Sequence, residues 1–442
     1  MLKGKEEMSE VEMNRLILIG NGFDLAHGLK TSFYDFINYC VFEISKLIII
    51  ENKDTIKSFL IENDIVHSES IRGYYHLILV QKNDISIILK EGKKDITLPE
   101  VYKHLETNGK MLDNYLEYST KEYNSDINYL KEFKILFDKK YWEKTKDLIN
   151  AIKSSTFKID YTQFVDKLFK NELFKIILNK CKADKNWGGI EHEFYQTLLD
   201  VEEFYREEKI LDKIDKLNKE FENIIDCFIY YMTSVVSKQE TKILSKIAKH
   251  LMQPVNDDEL STQFRDRIGQ QPIVIKEHMF LSFNYTNTIE KYIAQSSVNV
   301  EEKHVQIHGR LEDSASKIIF GYGDELDSSY KELEDKNDNR YLKYLKSLHY
   351  LDTDNYQKLL DFLEQNKYQV YIWGHSCATS DRVLLQTIFE HENCVSIKPF
   401  YYQDEKGNDN FEDLYKNISR HFTDKNKLRD LVVNKKYCEP LT

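Results

Sequence analysis

The first pattern along the chain is a short run with no polar residue in it, Leu16-Ile17-Leu18-Ile19. An unbroken apolar run of this length reads as a strand buried on both faces. Gly20 and Gly22 break it, and an amphipathic stretch from Phe33 to about Ile50 predicts a helix. Residues 51 to 95 hold only short apolar runs and yield no assignment. From about Leu98 to Lys182 apolar residues recur three and four apart, which predicts helices. Asn186 to Ile190, with Trp187 read as a core residue, interrupts that pattern, and Glu191 resumes it. Ile210, Ile214, Leu217, Phe221, Ile224, Phe228 and Val235 then mark a spacing of mostly four and three. That spacing suits a long helix packed in an intramolecular bundle. The alternative is a coiled-coil seam through which 210–236 would build a homo-oligomer.

The period changes after a polar stretch, 253–272, that opens and closes with a proline and predicts a boundary. Strand candidates follow at Met279–Phe283, His304–Ile307, Lys317–Phe320, Tyr368–Trp373 and Cys394–Tyr402. Helical patterns lie between several of them, and strands alternating with helices predict an α/β fold with a mostly parallel sheet. Its first strand comes from the beginning of the chain. The sheet domain is therefore expected from 14–50 plus 272–442, with 51–271 as a mainly helical insertion.

Composition narrows the function classes. A net charge of −12 argues against a general nucleic-acid binder. No apolar run reaches membrane-spanning length, and Met1 to Met13 is polar and mixed in charge, which predicts a cytoplasmic protein without a membrane partner. The six cysteines include no Cys-x-x-Cys pair, so neither a zinc framework nor a disulfide framework is expected, and no metal is called for.

In a parallel α/β sheet, ligands bind beyond the carboxyl ends of the strands. That rule selects Gly20-Asn21-Gly22-Phe23-Asp24, Asn284-Tyr285-Thr286, His308-Gly309, Gly321 to Asp324, and Gly374-His375-Ser376. Strand, glycine turn and helix together bring backbone amides close to a phosphate. Each cluster also has a plainer reading. Asn284, Thr286 and Thr288 are capping types ahead of a helix at Ile289–Ala294. Thr379, Ser380 and Asp381 are expected to cap the helix that follows them. His278 and His304 read as bystanders, and nothing near Cys377 suggests an activated thiol.

Residues 17 to 36, with Trp187 and Ile190-Glu191, Phe283 to Thr286, Ile307 to Gly309 and Trp373 to Ser376, resemble the signature islands of the AbiH family of bacterial abortive-infection proteins. The resemblance implies an anti-phage effector responding to a phage-derived trigger. The islands also resemble, in the same order, those of sirtuin-type NAD-binding domains. Gly20 to Leu29 matches the glycine-rich turn, Ser282 to Thr286 the Thr-Gln-Asn-x-Asp element, His308-Gly309 the catalytic His-Gly, Ile319 to Gly321 the Phe-Gly step, and Gly374 to Ser376 the late Gly-Thr-Ser. This implies a Rossmann-like (sirtuin-like) fold, NAD as substrate, Asn284 and His308 as catalytic residues, and Gly20, Asn21, Gly22, Phe23, Asp24, Thr286, Gly321, Gly374, His375 and Ser376 as nucleotide-binding residues. The chain departs from that pattern at Thr286, where an acid is usual, and at Asp24, where a serine is usual. Lys30-Thr31-Ser32 replaces a Pro-Asp-Phe segment, and the zinc cysteines are absent. A deacylase is thereby disfavoured. The implied activity is NAD glycohydrolysis to nicotinamide and ADP-ribose, the alternative a module that binds NAD or ADP-ribose without cleaving it.

Overall fold

Strand β1, Val11–Ile19, is the centre of the molecule's sheet, and its last seven residues are buried. The structure, a computed structural model, describes residues 10–37, 39–40, 171–180, 188–201, 209–294, 301–311, 318–323 and 327–442. Beside β1 lie β2 (Ile273–Ser282) and β4 (Tyr368–Trp373), with β3 (Glu301–Gln306) and β5 (Cys394–Phe400) at the two edges. Every pairing is parallel and the order is β3-β2-β1-β4-β5. In register, Ile17 stands between Phe280 and Tyr371, and Ile19 between Ser282 and Trp373.

The unbroken apolar runs are explained by layers on both faces. Leu16, Leu18, Met279, Leu281, Val370 and Ile372 point to one side, where they pack with residues of four helices: α7 (Asn355–Gln365), α8 (Arg382–Glu390), α9 (Phe411–Ser419) and α10 (Lys425–Leu431). Ile17, Ile19, Phe280, Tyr371 and Trp373 point to the other, against the short helices α1 (Asn21–Ala26) and α5 (Ser245–Leu251). Successive residues serve opposite faces because a strand has a side-chain period of two. This is the Rossmann-like α/β architecture.

The chain forms two compact units. One takes the described residues within Met1–Phe33, Asp184–Asn218 and Ile229–Thr442, and the other those within Tyr34–Ala183 and Lys219–Phe228. Residues 188–201 and 229–271, expected in the insertion, thus share a unit with the sheet. Among them is helix α3, Gly188–Leu199. The 253–272 stretch is no bare linker either: it folds a helix, α6 (Thr262–Ile268), whose Phe264 and Ile268 pack with Met13 and Val395. The described part of the second unit is helical. Helix α2 (Glu172–Lys180) is capped by Asn171, whose Oδ1 accepts the Phe174 amide at 2.8 Å, and Phe36 meets Phe228 edge-on.

Helix α4, Ile210–Tyr231, carries the heptad-like seam, and Ile214, Leu217, Phe221, Ile224 and Phe228 are all buried within the chain itself. A π-helical turn, Met232–Val236, follows, and Val236 rather than Val235 is buried. The extra residue in that wider turn moves the seam by one position. One expected strand is not formed: Ile318–Phe320 is irregular, and Lys317 lies outside the described residues. The helices expected at 98–170 and beyond Cys40, Trp187, and the Asp324 end of the Gly321 cluster also lie outside them. Among the described residues no helix is long and apolar enough to cross a membrane.

Candidate functional site

Strand order locates the site. The chain runs outward from β1 to β3, then returns to β1's other flank to begin β4, so the topological switch falls between β1 and β4. At such a point the connections leave the sheet in opposite directions, and ligands bind at the carboxyl ends there.

The turns after β1 and β4 are in backbone contact. A Cβ on Gly20 would lie 2.4 Å from His375 Cα, and one on Gly374, whose φ is +68°, 2.1 Å from the Phe23 nitrogen. Only glycine permits that approach and that backbone conformation. The Gly20 amide donates to the Trp373 carbonyl (3.1 Å) and the Gly22 amide to the Gly374 carbonyl (2.8 Å). A phosphate would therefore find these two amides already committed, and α1 is only six residues long. The glycines join the two turns rather than presenting a free cradle. Phe23 is buried and stacks on Trp373 at 6.0 Å, a core role, whereas Asn21 stays partly exposed.

Asn284 follows β2 and is buried, and its Nδ2 donates to the Gly20 carbonyl at 3.0 Å. Thr286 gives its hydroxyl to Asp24 Oδ2 at 2.6 Å. Neither residue caps the following helix, Glu290–Ile293, which has no side-chain cap bond. Asp24 is 1% exposed, and its Oδ1 has no hydrogen-bond partner among the described residues. Burial pushes its carboxyl up to about 6, against the pull of the Thr286 hydroxyl. Thr286 and Asp24 are thus joined by a short hydrogen bond.

The groups after β3 and β4 converge on a carboxylate. Asp381 stands at the first residue before α8 but makes no side-chain cap bond. Its Oδ1 lies 3.0 Å from Lys346 Nζ and 3.4 Å from His308 Nε2, and its Oδ2 lies 3.6 Å from His375 Nε2. Lys346 Nζ also meets Glu191 Oε1 at 2.8 Å, and that oxygen accepts the Gly321 amide at 3.3 Å. Phe283 packs against both imidazoles, 5.4 Å from His308 and 4.0 Å from His375. Burial opposes ionisation of Asp381, yet Lys346 and the two imidazoles hold its carboxyl well below the usual range. Burial pushes Glu191 up, and burial followed by Lys346 pushes His308 down, so the His308 ring is neutral near pH 7. The expectation that Asp381 is a helix cap is corrected: a carboxylate facing a buried ammonium forgoes the helix amides.

The sequence-selected residues Asn284, Thr286, His308, Gly321, Gly374 and His375 all take part in these contacts. Ser376, partly exposed, contributes its carbonyl to Asn417. Glu191, Lys346 and the ionic role of Asp381 were not foreseen. Glu191 was visible only as a neighbour of Ile190 in a signature island, and Lys346 sits between Leu345 and Ser347 with no pattern to mark it. His278 and His304 stand within strands, away from the carboxyl ends, and burial pushes them down to about 3 and about 4. Cys377 is buried and its thiol pushed well up, so it is no nucleophile. Among the described residues no cluster of His, Cys, Asp or Glu is arranged to hold a metal ion.

No curated protein and no solved structure matches this chain. The model of one family does match, over residues 16–403, a span that includes every residue of the site. The chain belongs to that family, bacteriophage abortive infection AbiH.

Proposed function

We propose that this abortive-infection protein cleaves the N-glycosidic bond of NAD on infection, releasing nicotinamide and ADP-ribose. The observation that carries the reading is a buried His308, its Nε2 3.4 Å from the Asp381 carboxylate, at the carboxyl edge of a β3-β2-β1-β4-β5 parallel sheet. The nicotinamidium group of NAD leaves as a neutral molecule with the bonding electron pair, so no acid is needed to protonate it. What the reaction needs is a positioned water and a base. His308 takes a proton from that water as its oxygen bonds to C1′ of the ribose. Asn284, fixed to the Gly20 carbonyl, orients the water or the ribose hydroxyls. Asp24 Oδ1 accepts a ribose hydroxyl, which supplies the partner this buried oxygen lacks among the described residues.

The test is nicotinamide release by purified protein, alone and with extract of infected cells. Wild type is expected to turn over, with His308→Ala and Asn284→Ala slower by roughly 10²–10⁴-fold. Absence of both turnover and an NAD-induced rise in melting temperature would overturn the reading. One feature favours a second reading, a module that holds NAD or ADP-ribose without cleaving it: Thr286 stands where the sirtuin-type pattern has an acid, and its hydroxyl is given to Asp24. Its signature is a melting shift without nicotinamide release, unchanged in His308→Ala.

A further inference from the structure

The buried ions around Lys346 have no part in the scheme above beyond the presence of Asp381. Glu191, Lys346 and Asp381 are each less than a tenth exposed, and one ammonium lies within 3.0 Å of both carboxylates. Two carboxylates compete for that single positive charge, and the two are not equivalent. Asp381 also faces two imidazole nitrogens, whereas among the described residues the hydrogen bonds to Glu191 come from Lys346 and the Gly321 amide. The ionised form therefore settles on Asp381, whose carboxylate can only accept hydrogen bonds.

That charge has a consequence for the two rings. His375 Nδ1 accepts the Cys377 amide at 3.0 Å, so in the neutral ring its proton is on Nε2, the nitrogen turned toward Asp381 Oδ2. His308 brings the same nitrogen, Nε2, to 3.4 Å from Asp381 Oδ1, and this buried nitrogen makes no hydrogen bond among the described residues. A bare lone pair there would face a carboxylate at 3.4 Å in a buried setting, and an N–H would face it favourably.

Resting on the reading of His308 as the base, the geometry points to Asp381, clamped by Lys346, as the positioning residue that fixes His308 in its Nε2–H tautomer and leaves Nδ1 as the nitrogen that takes the proton. The step balances. The water O–H bond breaks, its proton goes to Nδ1, the oxygen bonds to C1′, and the glycosidic electron pair leaves with nicotinamide. The imidazolium that results points its Nε2–H at Asp381, which keeps its charge. Lys346 keeps Asp381 ionised through the cycle, and Glu191 holds Lys346 from the far side. His375, on the other oxygen, limits how far the carboxylate can turn away. The substrate must then approach His308 from its Nδ1 side.

The test is long-range proton–nitrogen NMR of the full chain labelled with ¹⁵N-histidine, with the His308 signals assigned by their loss in His308→Gln. The expected result is a neutral His308 protonated on Nε2, and a loss of that single tautomer in Asp381→Asn or Lys346→Met. Asp381→Asn is also expected to lower nicotinamide release by roughly 10²–10⁴-fold with little change in KM, the effect of a base in the wrong tautomer. A wild-type His308 protonated on Nδ1 overturns the inference, and that spectrum needs no variant of Asp381 or Lys346 to fold. An Nε2–H ring in a protein that never releases nicotinamide leaves the assignment of the tautomer standing and removes the glycohydrolase instead, so the two failures are distinct.

Discussion

Lys346 Nζ lies 3.0 Å from Asp381 Oδ1, with both side chains under a tenth exposed. Removing one member of a buried ion pair leaves the other charge without a partner, at a cost of about 3–5 kcal/mol. Lys346→Met is therefore expected to lower unfolding stability by about that amount, since it strands the Asp381 carboxylate. Replacing all three, as Glu191→Gln, Lys346→Met and Asp381→Asn, removes the stranded charge and is expected to recover a large part of the loss. Urea unfolding of the three proteins at one pH measures both steps. A Lys346→Met variant within 1 kcal/mol of wild type would contradict the buried pairing.

The joined turns make a second prediction, by contrast between two glycines that share a left-handed backbone. Gly374 (φ +68°) has no room for a Cβ, whereas Gly28 (φ +80°) has nothing within 4 Å of one. Gly28→Ala is expected to cost only the conformational strain, about 1–2 kcal/mol. Gly374→Ala adds a collision between two backbones, neither of which can rotate aside, and is expected to exceed about 3 kcal/mol. Thermal melts of the pair check the ordering, and similar losses for both would mean that the turns after β1 and β4 do not touch.

Which parts of this arrangement were legible in advance follows from the kind of signal involved. Leu16 to Ile19 was readable as a strand because burial on both faces leaves no polar residue in the run, and Tyr368 to Trp373 because Gln369 is its one polar residue. The rule for carboxyl ends then selected His308 and Asn284 with no knowledge of the fold beyond its class. Lys346 was hidden because a buried ammonium is specified by partners 155 and 35 residues away in sequence, Glu191 and Asp381, and by no local period. Asp381 was misread for a related reason: Asp before a helix is a capping signal, and only the tertiary neighbour shows that the carboxylate turns elsewhere. The glycine turn was read as a place where backbone amides approach a phosphate. What approaches, however, is the backbone after β4, and sequence does not distinguish that from a phosphate. The seam on α4 predicted burial, and the π-helical turn after it displaced the last position because insertion of a residue leaves no hydrophobic mark of its own.

The pH dependence of stability provides the sharpest test of Asp24. Burial raises its carboxyl from the ordinary 3.8 to about 6, so between those values the folded protein binds more of this proton than the unfolded chain does. Stability contributed by the protonated form is fully present below pH 3.8 and is lost as pH rises through about 6, a change of up to about 3 kcal/mol. Asn is a neutral isostere of the protonated acid and has no such dependence. Asp24→Asn should therefore gain on wild type as pH rises, with the difference in unfolding free energy growing by up to about 3 kcal/mol between pH 4 and pH 8. Comparing the two proteins at each pH cancels the titration of every other group they share. Thr286→Val should act in the opposite direction: it removes the hydroxyl that supports the ionised form, so its penalty is greater at pH 8 than at pH 4. A nucleotide hydroxyl reaching Oδ1 would add a second donor to the ionised carboxylate. NAD affinity is then expected to rise with pH through about 6 in the wild type and to be flat in Asp24→Asn, measured by calorimetric titration at four or five pH values. A flat wild-type profile would place the nucleotide away from Asp24, while leaving the stability prediction to stand or fall by itself.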